Sequence, residues 1–538
     1  MKDLELPIGK RTLKYRLFEM LPAFLSYGAI ILMFVLSYFN TLLAATYLFL
    51  IVVSLLIKAI GIATHTIIGH NKLNRAQKID WHERLSHLEN PKETFDKFKN
   101  KQNDLLIDNQ HLDNLRLIAN SYQKFPKPSQ IYNAIIIATY NESYEILEPT
   151  LKAVANSTAN LKNLIVTIAY EERGGEKTEK TAIRLQNEFK NKFHSFHLVK
   201  HPSDLPNEAI GKGANITYAG NYLKSFLDEN GIDYANVIVT TLDSDNRPHK
   251  YYFDYLTYEY IVHEERKHLA FQPVCLFYNN IWDAPAPMRV IATGNSFWTI
   301  ISSMRPHTLK NFASHSQPMD ALVEMKFWSK ISIVEDGHQY WRSYFYFNGN
   351  YSVLPIYMPI YQDAVLSDTY WKTLKAQFIQ LRRWAYGASD VPYVAVRIFS
   401  KERTIPFWPG VMKLFRLLDG HITLACVSLL VAVGGNLPLL INPNAYRDPI
   451  TYRLPDIMSV IQMLANVGIV ITVFMSFKLL PPRPERYKKH RTIWMVLQWV
   501  YMPLNAVFYS AFSALYSQGR LFMGKYLDKF DVTDKSTK

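Results

Sequence analysis

The sequence predicts an α/β protein: a cytoplasmic domain with a mostly parallel sheet, flanked by transmembrane helices. Three observations predict it. Long uncharged runs stand near both ends of the 538-residue chain. From about residue 131, short apolar runs alternate with amphipathic helical patterns. Polar and acidic clusters follow several of those runs, at the edge where open α/β sheets bind ligands.

The N-terminal segment, 1–64, holds the first apolar region. Met20 to Ile57 carries no charge, enough for two spans of about 20 residues each, with Phe39-Asn40-Thr41 as the turn. It is too long for a cleaved signal peptide and has no small-residue cleavage site. Residues 65–130 read as a polar helical cytoplasmic linker. Its pairs His65/His70 and His82/His87 are spaced wrongly for a metal on one helical face and read as exposed. Pro126 and Pro128 mark the entry to the 131–395 domain. Residues 396–418 mix Phe399, Trp408 and Phe415 with Lys and Arg, as in an interfacial amphipathic segment. Residues 419–480 hold two more uncharged runs, Ile422 to Tyr446 and Ile457 to Phe477, with Asp419 and His421 at the interface. In 481–538 a basic loop precedes Thr492 to Gly519, which is uncharged but has Pro503 and Asn505 at its centre. A broken, interfacial or re-entrant segment with the basic tail inside is expected there, a full fifth span or a tight hairpin being the alternatives.

The net charge of +14 lies mostly beside these spans. Lys478 to Arg491 has six Lys/Arg against one Glu. The positive-inside rule therefore places the N-terminus, the middle domain and that loop in the cytoplasm. The partner of the excess charge is the lipid bilayer with its anionic headgroups, not nucleic acid. Two cysteines, Cys275 and Cys426, make neither a disulfide framework nor a zinc site.

Within the domain, Ile131 to Ala138 reads as a strand, followed by Thr139, Tyr140, Asn141 and Glu142. A helix with apolar face Ile146, Leu147, Leu151 and Val154 comes next. Leu164 to Ala169 is a second strand leading to Glu171 and Glu172. A helix from about Lys177 to Lys190 and a strand near Phe196–Val199 follow. Gly211 and Gly213 flank Lys212 at a helix start, where backbone can approach a phosphate closely. Val237 to Leu242 is a buried strand delivering Asp243 and Asp245. Carboxylates at i and i+2 suit a hard cation, Mg²⁺ or Mn²⁺, on a diphosphate. Glu335 and Asp336 follow later; Asp336 suits a general base and also a helix N-cap. Gln380, Arg382, Arg383 and Trp384 set two arginines beside an indole, which suits a diphosphate and a sugar face. Together these features point to a sugar transferase rather than a transporter or a receptor.

On these residues the chain resembles a membrane-embedded family 2 glycosyltransferase of the cellulose, chitin and hyaluronan synthase type. The resemblance covers roughly residues 131–395 and the layout of the flanking spans, and it implies a GT-A-type nucleotide-sugar domain. Ile135 to Glu142 resembles the family's opening strand and implies donor contacts from Thr139, Tyr140, Asn141 and Glu142. Gly211 to Ile216 resembles the segment beside the nucleotide, which brings in Lys212. Asp243-Ser-Asp245 matches the metal-binding DxD. Gln272-Pro273 with Tyr278-Asn279-Asn280 resembles the segment after it, and Thr293-Gly294-Asn295 is similar to the acceptor-side loop. Val334-Glu-Asp336 stands where the family has Thr-Glu-Asp. Gln380, Arg383 and Trp384 match QxxRW. Phe530 to Lys535 resembles a short cytoplasmic tail motif of some relatives. Two departures stand out: Val334 replaces Thr, and the acidic motif after the second strand is Glu171-Glu172 rather than Asp, which leaves open which of the two meets the base.

The resemblance implies an inverting transferase; the span layout and the lack of any organelle signal point to a bacterial inner (plasma) membrane. Its donor is a nucleotide-diphosphate sugar held by Mg²⁺ or Mn²⁺ on Asp243 and Asp245. Asp336, with Glu335, is catalytic, and Arg382, Arg383 and Lys212 face the diphosphate. Trp384, Gly294 and Asn295 lie on the acceptor side. The acceptor is a growing glycan, hence processive polysaccharide synthesis, or a lipid-linked sugar receiving a single addition. Accessory envelope-assembly proteins are further partners that such a role admits. The remaining alternative is a non-catalytic nucleotide-sugar sensor.

Overall fold

A computed structural model describes residues 4–100, 104–121 and 124–527, apart from the side chains of residues 465–467, 469 and 472. The tail motif from Phe530 to Lys535 lies outside the described residues.

Two long helices open the chain, α1 (Leu13–Phe39) and α2 (Thr41–Lys78). Asn40 separates them, its side chain capping the second by accepting from the Leu43 amide at 3.0 Å. The second helix does not stop at 64; its polar end continues to Lys78 without a breaker. Short helices α3 (Trp81–Ser86), α4 (Pro91–Phe98) and α5 (Asn109–Asn120) form the linker. Here His87 Nδ1 meets His111 Nε2 at 3.0 Å, and His70 is buried. Of the four histidines, His82 alone is exposed; His65 and His87 are half-buried.

The domain is an eight-stranded sheet: β1 (Tyr132–Thr139), β2 (Leu164–Glu171), β3 (Ser195–His201), β4 (Val237–Asp243), β5 (Arg247–Pro248), β6 (Leu269–Leu276), β7 (Ser316–Pro318) and β8 (Ser352–Tyr361). Their order is β3-β2-β1-β4-β7-β6-β8-β5. The four strands β3, β2, β1 and β4 are parallel, as are β6 and β8; β7 runs antiparallel between β4 and β6, and β5 antiparallel to β8. Strands buried on both faces read as continuous apolar runs, and β1 shows why. Ile135 and Ile137 enter one core, Ala134 and Ile136 the other.

The first core is covered by α6 (Tyr144–Ala155), α7 (Gly175–Phe189) and α9 (Tyr252–Val262); the second by α8 (Lys212–Glu229) and α11 (Met319–Glu324). Between these last two in the chain comes α10 (Ala286–Ser303), and after them α12 (Glu335–Tyr346), α13 (Tyr370–Ala385) and α14 (Asp390–Ile398). Then α15 runs from Phe407 to Val433 with its proline in the first turn. The stretch expected to be a separate interfacial piece up to residue 418 is thus partly this helix, and Asp419 and His421 sit in its middle.

Short α16 (Leu437–Ile441) and α17 (Pro449–Tyr452) lead to α18 (Leu454–Leu479). The last apolar run is broken: α19 (His490–Leu497), a 3₁₀ turn, α20 (Met502–Asn505), a π-helical stretch at 506–511 and α21 (Phe512–Phe522). Pro503 falls in the first turn of α20, where a missing N–H is tolerated. Both ends of this segment meet the side of the bundle that carries the α/β domain. Arg491 donates to the Trp282 carbonyl, and Arg16, near the start of α1, donates to the carbonyls of Leu521 and Phe522.

Among the described residues three helices are long and apolar enough to cross a membrane: α1, α2 and α15. They meet through Met33, Ala44, Ala45, Leu48, Ala425 and Cys426, mostly small residues that allow close helix approach.

Candidate active site

Three carboxylates converge on one lysine beside the carboxyl end of β4. Lys212 opens α8, and its ammonium lies 2.9 Å from Asp243 Oδ1, 3.3 Å from Asp336 Oδ2 and 3.8 Å from Glu335 Oε1. Asp243 ends β4, while Glu335 and Asp336 form the first turn of α12. Gly213 makes the convergence possible: a Cβ there would collide with the Ser329 carbonyl oxygen and press on Glu335 Cβ at 3.2 Å. Its role is helix-to-loop packing inside the site, a use the sequence reading had not foreseen.

The electrostatics follow from burial and from this one cation. Burial works against the charge of Lys212, but Asp243, Asp336 and Glu335 outweigh it and hold the amine above the ordinary lysine value. Burial would also raise Asp336; Lys212 and the His315 imidazole overcome it and keep that carboxyl well below the usual range. Glu335, only 4 % exposed, goes the other way. Burial and then the neighbouring Asp336 charge push it up to about 8. The two adjacent carboxyls are thus driven in opposite directions.

His315 is the site residue that the sequence reading missed. Trp328 donates its indole N–H to His315 Nε2 at 3.2 Å, so Nδ1 carries the proton. That nitrogen lies 2.9 Å from the Phe312 carbonyl and 3.4 Å from Asp336 Oδ1. A solitary histidine before a three-residue strand gave no signal of this.

The remaining candidates are placed as follows. Asp245 is buried and accepts from the Asp363 amide at 3.1 Å. Asp243 is 35 % exposed. Among the described residues no three His, Cys, Asp or Glu side chains gather as an ion cage. Two carboxylates at a strand end are nonetheless a fitting donor set for Mg²⁺ or Mn²⁺, which commonly take one or two carboxylates and complete their shells with substrate phosphates and water.

Glu142 closes its own loop, accepting from Thr139 Oγ1 (2.7 Å) and from the amides of Tyr140 (2.8 Å) and Asn141 (3.2 Å). Glu171 is buried and takes Arg173 at 2.9 Å and His201 Nδ1 at 3.1 Å. The exposed Glu172 accepts from the Ser203 amide and hydroxyl, both at 3.0 Å.

Gln380, Arg382, Arg383 and Trp384 form the last turns of α13. Tyr386, just beyond, packs with Ile333 and Val334 beside Glu335, and the Arg383 guanidinium pulls the Glu335 carboxyl downward. Gln380 accepts from Gln377 at 3.1 Å, and the Arg382 carbonyl from Ser517 at 2.6 Å. Trp384 is 39 % exposed, its ring 6.2 Å from that of Phe277.

Gly294 and Asn295 are not on a loop. They lie inside α10, begun by Pro285 and Pro287 and carried past the glycine by an apolar face buried along the helix. Among the described residues no hydrogen bond or ion pair joins them to the Lys212 cluster.

No protein-family model matches this chain, and no curated protein does. Solved structures that it resembles include the mannosyltransferase PcManGT from Pyrobaculum calidifontis in complex with GDP-Man and Mn²⁺. That match has 12% identity and a TM-score of 0.37, over 73% of this chain and 94% of that one. S. aureus TarS 1-349 in complex with UDP-GlcNAc matches at 10% identity and a TM-score of 0.34, over 74% of this chain and 93% of that one.

Proposed function

We propose that the protein is a membrane-embedded inverting glycosyltransferase, moving a sugar from a nucleotide-diphosphate donor to a glycan or lipid-linked acceptor. The observation that carries this reading is the convergence of Asp243, Lys212, Glu335 and Asp336 on one point at the strand ends, with Arg383 beside them. Asp336 is the general base: ionised, solvent-accessible in part and held by His315, it accepts the proton of the attacking acceptor hydroxyl. Lys212 is the switch. An incoming diphosphate competes for its ammonium, and as the lysine turns to the phosphate, Asp336 loses its counter-charge and becomes more basic. Arg383 adds fixed positive charge where the leaving diphosphate develops its own.

Asp243 and Asp245 would hold Mg²⁺ or Mn²⁺, which when bound supplies charge neutralisation to the diphosphate. Thr139 to Glu142, Glu171 and Glu172 line the nucleotide side and Trp384 the acceptor side. The α/β domain is cytoplasmic, α1, α2 and α15 cross the membrane with α18, and the broken 490–522 segment lies along the inner surface. In Asp336→Asn, transfer is expected to fall by about 10²–10⁴-fold, the usual worth of a general base, while donor binding persists. Full turnover by that variant removes Asp336 from the role.

A further inference from the structure

An open cleft of about 540 Å³ lies between α13 and the broken segment at 501–509. Trp371, Leu374, Lys375 and Phe378 form one wall and Leu504 and Phe508 much of the other. The wall formed by 501–509 is anchored on both sides. Asn505 donates to the Pro287 carbonyl at 2.9 Å, and the Ala506 carbonyl accepts from Ser428 of α15 at 3.0 Å. The Ala506 bond docks this stretch on a helix apolar enough to span a membrane.

We infer that this cleft holds the hydrocarbon chain of a lipid phosphate, and that the acceptor is such a lipid or a sugar carried on it; the inference rests on the glycosyltransfer reading. Three features select a lipid over a glycan strand. The lining is mostly apolar: beside the leucines, phenylalanines and Trp371 stand the rings of Tyr370, Tyr501 and Tyr509, whose hydroxyls are among its few polar groups, and its amide, Asn505, is already committed to backbone. A sugar chain needs many hydroxyl partners, whereas hydrocarbon needs none. The cleft also opens onto an exposed apolar strip, Trp494, Leu497, Val500, Leu504, Phe508 and Phe512, which would face the bilayer.

The second feature is charge. Lys375 stands in the wall, on the same helix as Arg382 and Arg383, so an anionic headgroup leaving the cleft meets cations in sequence. The third is continuity. Phe378 and Arg382 are one turn apart on the same face of α13, about 6 Å along the helix axis, so a chain seated here delivers its head toward the end of that helix, where the Arg383 charge acts on Glu335.

The test uses the full-length protein in detergent with tritiated farnesyl phosphate as probe. Saturable binding that excess phosphatidylcholine does not displace, and that weakens about tenfold in Trp371→Ala and in Lys375→Glu, is expected; both side chains are exposed, so the fold should tolerate the changes. Equal displacement by phosphatidylcholine, unchanged binding in both variants, or absence of binding would overturn the proposal. Donor turnover is measured in parallel on the same preparation. Nucleotide release with a soluble oligosaccharide acceptor but no probe binding rejects the lipid site and leaves transferase activity standing. Probe binding without release from any donor keeps the lipid site and removes the transferase reading.

Discussion

Under the proposed transferase reading, Glu335 is expected to set how the site responds to pH. Its carboxyl is raised to about 8 by burial and by Asp336, so it is neutral at pH 7 and ionises as the pH climbs past that value. A second negative charge then faces both Asp336 and an incoming diphosphate. We expect donor KM to rise and turnover to fall above about pH 8, and the alkaline fall to be absent in Glu335→Gln whatever its absolute rate; a pH–rate profile reads this directly. Asp336 is displaced the other way, so its ionisation contributes stability above the ordinary carboxylate range and loses it only as the pH falls below that range. It does not set an acid limb near neutrality. At this scale the sequence was legible where a residue stood in a short motif: Asp243, Lys212, Glu335 and Asp336 do meet. It was silent on His315, because the partners that give that ring a purpose, Trp328 and Asp336, come from other segments. It also could not show that Glu142 spends its carboxylate on three neighbours in its own loop.

Among the elements, the start of α8 is the most tightly specified. Gly213→Ala forces Cβ against the Ser329 carbonyl, and the overpacking should cost about 1–3 kcal/mol, read as a lower unfolding midpoint together with lost activity as α8 and α12 separate. At the β2–β3 edge, His201 bridges Glu171 and Glu208 at 3.1 and 2.9 Å. Burial would lower its pKa, but the two carboxylates win and raise it. A raised histidine contributes stability fully below its unfolded value of 6.5, and that contribution disappears as the pH rises through the folded value. Unfolding midpoints should therefore drop more between about pH 6 and about pH 9 for the wild type than for His201→Gln. Equal drops would count against the bridge. Strand existence and direction were legible from apolar runs and strand-end polarity. The helical setting of Gly294 was not, since a single glycine suggests a loop but does not break a helix whose apolar face continues on both sides, at a cost of about 1 kcal/mol. Nor was the join at 407–433, where a mixed aromatic and basic surface continues straight into an apolar helix.

For the whole molecule, chain order explains why the site lies where it does. The strand order reverses from β1 to β4, with the parallel β1-β2-β3 arm on one side and the mixed β7-β6-β8-β5 arm on the other. Such a switch opens a crevice at the strand ends, and Asp243 stands in it. Residues 4–14 tie the helical bundle to the domain: Glu5 pairs with Arg342 at 2.5 Å, and Lys14 donates to the Phe399 carbonyl at 2.8 Å. The site thus sits above the bundle, with α13 and the broken 490–522 segment between them. Placement of apolar runs gave away the bundle from sequence. That the last of them returns to the side of the domain depends on contacts with α1 and α13 that no local pattern encodes.

The most direct measurement is nucleotide release by the purified full-length protein from a panel of UDP- and GDP-sugars, with and without Mg²⁺ or Mn²⁺, alongside Asp336→Asn and Asp243→Ala. Metal-dependent release from one donor, lost in Asp336→Asn, with donor binding weakened in Asp243→Ala, is the predicted result. Donor binding without release, or release indifferent to metal and to both substitutions, would contradict the account.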